Sequence, residues 1–347
     1  MEYNNSLVGL RESVKKAGFD GNWIIKQIPE RVEGLEPRTF ARIKKDLETG
    51  RPKLFDENAT NLTANDLRAR FGNYPANYVP KQAILEQYET LNEKKIKRYI
   101  PENAKDATIL FFHGGGFFAG SIEAMDKPCL ALADYSDMEV VSIDYELAPE
   151  NPFPSGLLTC YQAVCSIFKE KGGPVFVAGD SAGGALAISA SLLDKELGTN
   201  IIKGILTVYP TINRKLEKKE FYSRIQEYTI PLEQQEIIMG QFNAFLETNN
   251  QVTDWYIQHG VEAKNPFVSP LFANLKNLPP LFMASAEFDV LRLEEEDFVM
   301  NLKKAGVTFK AYRYDGMVHG FMDKLGLFPQ AEDLICEMGC FVKQINI

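Results

Sequence analysis

The sequence predicts an α/β protein with a mostly parallel central sheet flanked by helices. Two observations predict this fold class. Short apolar runs without polar alternation indicate strands that are buried on both faces, as in a parallel sheet covered by helices. Helical patterns fall between these runs, and such alternation favours a doubly wound sheet. The strands are predicted at about 108–112, 139–143, 174–178, 205–209, 281–284 and 307–312, and the helices at about 126–136, 155–170, 182–197, 292–305 and 330–343.

The chain of 347 residues suits one large α/β domain with insertions. We expect that domain to span residues 96–347. Residues 1–95 are predicted to form helices and loops, because residues such as Phe40, Ile43 and Leu47 follow a helical period. Residues 212–265 separate two strands with more chain than a crossover needs, which indicates a cap or lid insertion.

Composition and charge exclude several classes of partner. The net charge of -9 argues against binding to nucleic acid or to an anionic membrane surface. The N-terminus lacks the pattern of a signal peptide, and no apolar stretch approaches the length of a spanning helix, so we expect a cytoplasmic protein without stable membrane association. The five cysteines are an odd number and imply no disulfide framework. Neither a metal nor an organic cofactor is expected.

The strongest motif is G-D-S-A-G-G at residues 179–184, which directly follows a predicted strand and precedes a predicted helix. A G-x-S-x-G pattern in this context describes a nucleophile elbow, in which a strained turn projects the serine from the carboxyl end of the sheet. Glycines at 179 and 183 remove side chains that would collide with the neighbouring strand and helix. The alternative interpretation is a helix start in which Ser181 is only the N-cap residue. It would explain the helix but not the two glycines.

A second motif, H-G-G-G-F at residues 113–117, follows the strand that ends at Phe112. Consecutive glycines let backbone N–H groups point at a ligand. An enzyme of acyl transfer needs such donors, because negative charge grows on the carbonyl oxygen in the transition state. A phosphate loop is a weak alternative, since neither the G-K-[ST] ending nor the G-x-G-x-x-G spacing is present.

A nucleophilic serine needs a base and an acid downstream. His319 follows the last predicted strand in a turn bordered by glycines, where a base facing Ser181 must lie. His113 belongs to the glycine loop and His259 to the irregular insertion. Asp289 follows the strand at 281–286 and is the predicted acid.

Glu287 is the competing carboxylate, and Asp315 a weaker one. The chain order serine, then aspartate, then histidine is nevertheless the order expected for an elbow of this type.

These motifs, together with D-Y-x-L-A-P-E at 144–150 and H-G-F at 319–321, resemble the hormone-sensitive-lipase group of bacterial esterases. The resemblance covers about residues 105–343. It implies an α/β-hydrolase fold in which an N-terminal helical cap region at residues 1–95, with part of the insertion, covers the active site. It also implies Ser181, Asp289 and His319 as a catalytic triad. It further implies an oxyanion hole formed by the backbone N–H groups of Gly115, Gly116 and Ala182.

The sequence departs from this group at two positions. Glu146 stands where the group usually has arginine, and Val290 where it usually has proline.

The expected function is that of a serine carboxylesterase that hydrolyses short-chain esters, acetyl to butyryl, through an acyl-enzyme intermediate. The expected partner is a small-molecule ester. An amidase or peptidase with the same triad is an open alternative, and a ligand-binding receptor on this fold is a less favoured one, because all three triad residues are present. The sequence leaves open whether the protein forms a homodimer.

Overall fold

A computed structural model describes residues 3–12, 15–17, 21–29, 33–49, 62–70 and 76–345. The strands in these ranges are β1 (Lys15–Ala17), β2 (Trp23–Lys26), β3 (Ile84–Leu91), β4 (Lys94–Pro101), β5 (Lys105–Phe112), β6 (Met138–Ile143), β7 (Val175–Asp180), β8 (Ile202–Val208), β9 (Leu281–Phe288) and β10 (Phe309–Val318). The helices are α1 (Tyr3–Glu12), α2 (Pro37–Glu48), α3 (Ala64–Arg70), α4 (Asp126–Ser136), α5 (Ser155–Lys171), α6 (Ala182–Glu196), α7 (Lys218–Ser223), α8 (Gln235–Tyr256), α9 (Arg292–Lys304) and α10 (Pro329–Gln344).

These strands form one sheet in the order β1-β2-β10-β9-β8-β7-β5-β6-β4-β3. All neighbours from β2 to β6 in this order pair in parallel, and the two ends add antiparallel pairs. Helices α5, α6 and α9 cover one face of the sheet, and helices α4 and α10 cover the other. Each face has its own apolar cluster. The predicted fold class is therefore confirmed. Among the described helices, none combines the length and apolar composition needed to cross a bilayer.

The prediction of a helical cap for residues 1–95 is wrong for part of that region. Strand β2 pairs in parallel with β10, and β3 forms an antiparallel hairpin with β4. Helix α1 packs against α10, which covers one face of the sheet. The apolar pattern of the sequence does not reveal these strands, because β2 is only four residues long and β3 is a half-exposed edge strand rich in polar residues.

Two helices of the N-terminal region do pack against the insertion at 212–265. Phe40 and Ile43 of α2 lie against an apolar cluster, which we call the cap cluster and which contains Leu35, Phe221, Tyr228, Ile238, Phe242, Phe245, Leu246, Phe288, Val290, Leu291 and Leu293. Leu67 of α3 packs with Phe118 and Val252. Phe71 is a further apolar residue that we expect in the cap, and it lies outside the described residues.

Candidate active site

Ser181 lies in the turn between β7 and α6, with backbone angles φ 51° and ψ -116°. This left-handed conformation is strained for a residue with a side chain. The glycines around it leave room for the turn. A Cβ on Gly183 would lie 1.9 Å from the carbonyl oxygen of Phe112, and one on Gly179 would lie 2.4 Å from the backbone of Gly183. The sharp turn therefore requires glycine at both positions.

The structure brings the three side chains predicted for the site into one hydrogen-bonded chain. Nε2 of His319 lies 2.9 Å from Oγ of Ser181, and Nδ1 of His319 lies 2.7 Å from Oδ2 of Asp289. The other carboxylate oxygen of Asp289 accepts the backbone N–H of Leu291 at 3.0 Å. Asp289 is buried, and both of its oxygens are held, so the imidazole faces Ser181 in a single orientation.

The competing carboxylates do not reach the imidazole. Glu287 accepts the backbone N–H of Gly316 at 2.7 Å, and Asp315 accepts from Nε of Arg313 at 3.0 Å. His259 is exposed in a turn after α8. The geometry thus separates Asp289 from the two alternatives that sequence reasoning left open.

Two titratable groups at the site have shifted pKa values. Burial lowers the pKa of His319, but the charge and hydrogen bond of Asp289 outweigh burial, with smaller contributions from Asp180 and Asp323, so that its pKa lies above the ordinary value of 6.5. Burial, together with the charge of Asp323, raises the pKa of Asp180 to about 7. The site therefore contains a base with a raised pKa and a carboxyl group whose pKa is raised to about 7.

The glycine loop approaches the elbow and carries N–H groups that have no hydrogen-bond partner among the described residues. Gly115 has φ 126° and Gly116 has φ 61°, and a Cβ on Gly115 would lie 2.1 Å from the carbonyl oxygen of Ala119. Ala182 is the first residue of α6, where backbone N–H groups lack a helical acceptor. Within the described parts of the chain, the N–H groups of Gly115, Gly116 and Ala182 make no hydrogen bond. They can therefore act as donors to a ligand.

Buried polar side chains hold this loop in place. Oδ1 of Asp180 accepts the backbone N–H of Gly114 at 2.7 Å. Nδ1 of His113 donates to the carbonyl of Gly114 at 2.8 Å, and the His113 ring stacks on Tyr145. The hydroxyl of Tyr145 donates to the carbonyl of His113 at 2.8 Å. Sequence reasoning missed Asp180 as a supporting residue, although it lies inside the strongest motif.

Helix α8 passes close to these groups. The ring of Phe245 lies 5.2 Å from the ring of His319. Tyr256 stacks on Phe117, next to the glycine loop, with ring centroids 3.9 Å apart. Helix α8, which belongs to the segment 212–265, therefore lies directly against the site.

The two departures from the family motifs have local partners. Glu146 forms an ion pair with Lys94 at the start of β4. Val290 is buried in the cap cluster beside Asp289. In the described residues, no group of three or more histidine, cysteine, aspartate or glutamate side chains could hold a metal ion.

A family model described as the alpha/beta hydrolase fold matches residues 109–323, which include the elbow, the glycine loop and the three linked side chains. The chain belongs to this family. An arylesterase of Saccharolobus solfataricus is 29% identical over 309 residues, covering 82% of this chain and 92% of that protein. Esterase LipI of Mycobacterium tuberculosis strain H37Rv is 30% identical over 243 residues, covering 67% of this chain and 71% of that protein.

The family also matches at the level of structure. A crystal structure of an esterase from the bacterial hormone-sensitive lipase family superposes with a TM-score of 0.73 at 22% identity, covering 90% of this chain and 99% of that one. The α/β-hydrolase fold that the sequence motifs imply is thereby confirmed.

Proposed function

We propose that this chain is a serine carboxylesterase in which Ser181 is the nucleophile, His319 the base and Asp289 the residue that orients the base. The observation that carries the proposal is the unbroken hydrogen-bonded chain from Asp289 through His319 to Ser181. Hydrolysis of carboxylic esters is also the activity named for its arylesterase, carboxylesterase and esterase relatives.

The proposed reaction has two steps. His319 takes the proton of Ser181 as its oxygen attacks the ester carbonyl, and the N–H groups of Gly115, Gly116 and Ala182 stabilise the negative charge on the carbonyl oxygen. The alcohol leaves with the proton from His319. Water activated by His319 then releases the acid and frees the serine.

The proposed substrates are short-chain esters with acetyl to butyryl groups. Support comes from the apolar groups of α8 that lie against the site. In this proposal the catalytic domain spans residues 96–347 together with strands β1, β2 and β3, which belong to the same sheet. Helices α2 and α3 and the insertion at 212–265 form the cap.

The Ser181→Ala variant tests the nucleophile. We expect it to fold normally and to lose ester turnover by a factor on the order of 10⁴ or more. A fluorophosphonate reagent should label the unmodified protein once, at Ser181, and butyrate esters should be cleaved faster than matched butyramides. Labelling at another residue, or turnover retained by the variant, would contradict the proposal.

Matched histidine variants test the base. His319→Ala should abolish turnover, whereas His259→Ala should leave most of it, because His259 is exposed outside the site. Turnover that is retained by His319→Ala and lost in His259→Ala would show that His319 is not the base.

A further inference from the structure

One narrow face of α8 runs from His319 to the glycine loop. Phe245 contacts the His319 ring, and Val252 Cγ1 lies 3.3 Å from the position that a Cβ on Gly116 would take. Residues four, seven and eleven positions after Phe245 fall on the same side of a helix, and these include Val252 and Tyr256. An ester bound between the base and the oxyanion donors therefore lies beneath this face.

Asn249 is the polar residue on this face. It stands four residues after Phe245 and three before Val252, and its relative exposure is 6%. Two hydrogen bonds reach Asn249, from Nη2 of Arg214 and from Oγ1 of Thr253, and both end on its backbone carbonyl. Its carboxamide makes no hydrogen bond with any residue that the structure describes.

Neither Oδ1 nor Nδ2 of Asn249 is among the fully enclosed side-chain atoms without a partner in the described residues, so the carboxamide keeps a small accessible surface that a ligand can reach. The neighbours of Asn249 on this face, Phe245 and Val252, are apolar and cannot supply a partner. A bound ligand with a hydroxyl or carbonyl group can supply it, since a carboxamide both donates and accepts.

We infer that Asn249 is a specificity-determining residue that hydrogen-bonds a hydroxyl or carbonyl group of the ester, close to the scissile bond. This inference rests on the proposed esterase function. It predicts that hydroxy- or oxo-substituted short-chain esters are preferred over plain alkyl esters of equal size. The polar group can belong to the acyl or to the alcohol half of the ester, because Asn249 lies between the contacts to the base and to the oxyanion donors.

Two pairs of esters, each differing by one methyl-to-hydroxyl exchange, test the inference and separate the two halves. Ethyl 2-methylpropanoate and ethyl 2-hydroxypropanoate probe the acyl side; propyl propanoate and 2-hydroxyethyl propanoate probe the alcohol side. For each pair the ratio of kcat/KM, hydroxyl over methyl, is measured by acid release. The electronic effect of the hydroxyl group is common to all variants and cancels when their ratios are compared.

Asn249→Leu should lower this ratio by about three- to tenfold in one of the two pairs, which is the effect of one neutral hydrogen bond. Asn250→Leu is the matched control, because Asn250 is the next residue of α8 and is exposed. It should leave both ratios unchanged. The Tm of Asn249→Leu should be unchanged, since the hydrogen bonds from Arg214 and Thr253 end on the backbone carbonyl and the substitution keeps it.

Equal ratios in Asn249→Leu and the unmodified protein for both pairs would overturn the inference, as would a clear fall in Tm, which would indicate a structural hydrogen bond. Failure of the unmodified protein to cleave any of the four esters would instead overturn the proposed function, and this inference with it.

Discussion

The Asp180 side chain joins two parts of the candidate site. It precedes the proposed nucleophile in the chain, and its carboxylate accepts the N–H of Gly114 in the loop that carries the oxyanion donors. A Cβ on Gly114 would lie 2.3 Å from its Oδ2, so loop and carboxylate fit together closely. Its charge also contributes to the raised pKa of His319.

The charge of Asp180 should be visible in the pH dependence of turnover. Because His319 accepts a proton only when neutral, activity is lost as the pH falls through its raised pKa. Asp180→Asn keeps an acceptor for Gly114 but removes a negative charge near His319. We therefore expect the acid limb of the kcat/KM profile to move to lower pH in this variant.

Asp254→Asn removes the same charge from an exposed position on α8 and serves as the control for net charge. It should leave the acid limb in place. An acid limb that stays fixed or moves to higher pH in Asp180→Asn would refute this account of the electrostatics.

At the scale of elements, the tight connection from β7 to α6 leaves no room for a side chain at Gly183. Gly183→Ala would place a Cβ 1.9 Å from the Phe112 carbonyl oxygen, which is backbone and cannot move aside cheaply. We expect a loss of about 1–3 kcal/mol in the free energy of unfolding, as for overpacked core sites. Chemical denaturation of the purified variant measures it.

Gly240→Ala is the matched comparison within a helix. Gly240 lies inside α8, and a Cβ there would meet nothing within 4 Å. Alanine should stabilise this helix by about 0.5–1 kcal/mol. If both variants shift stability in the same direction and by the same amount, the close packing at the elbow does not set the requirement for glycine.

The sequence predicts the elements after residue 105 well, because each depends on a local pattern. Apolar runs mark β5 to β10, and helical periodicity marks α4, α5, α6, α9 and α10 within a few residues of their observed bounds. Strands β2 and β3 escape this reasoning. Their place depends on pairing with β10 and β4, and a short or half-exposed strand has too little apolar pattern to reveal such pairing.

The same distinction applies to the site. Ser181, Asp289 and His319 can be chosen from motifs because each follows a strand at the carboxyl edge of the sheet. The position of Asn249 over the site cannot be chosen this way, since it depends on how α8 docks on the sheet. Its one sequence signal is its helical spacing from Phe245 and Val252.

At the scale of the whole molecule, three distant stretches of chain meet above the sheet. Helix α2 packs on the cap cluster, α3 packs against Phe118 and Val252, and α8 connects both. Arg214 links α8 to the rest of the protein, because its guanidinium donates to Thr211 beside the elbow and to the Asn249 carbonyl. We expect a cap held at several points to leave limited room for an acyl chain.

This limit predicts how turnover depends on acyl length. Each methylene that fits gains roughly 0.8 kcal/mol, so kcat/KM should rise over the first carbons. Beyond the available room, a further carbon forces strain of roughly 1–3 kcal/mol, and the gain reverses. We expect a maximum at acetyl to butyryl in a panel of p-nitrophenyl esters.

Removing two methyl groups from the buried Val252 should move that maximum towards longer chains, because the side chain lies against the glycine loop. Val252→Ala is the variant to measure, and Val79→Ala, at a position 80% exposed, is its control and should leave the maximum where it is. A steady rise in kcat/KM through decanoyl esters, or activation at an oil–water interface, would contradict the enclosed site. It would mean that the cap opens for long acyl chains and that the protein acts as a lipase.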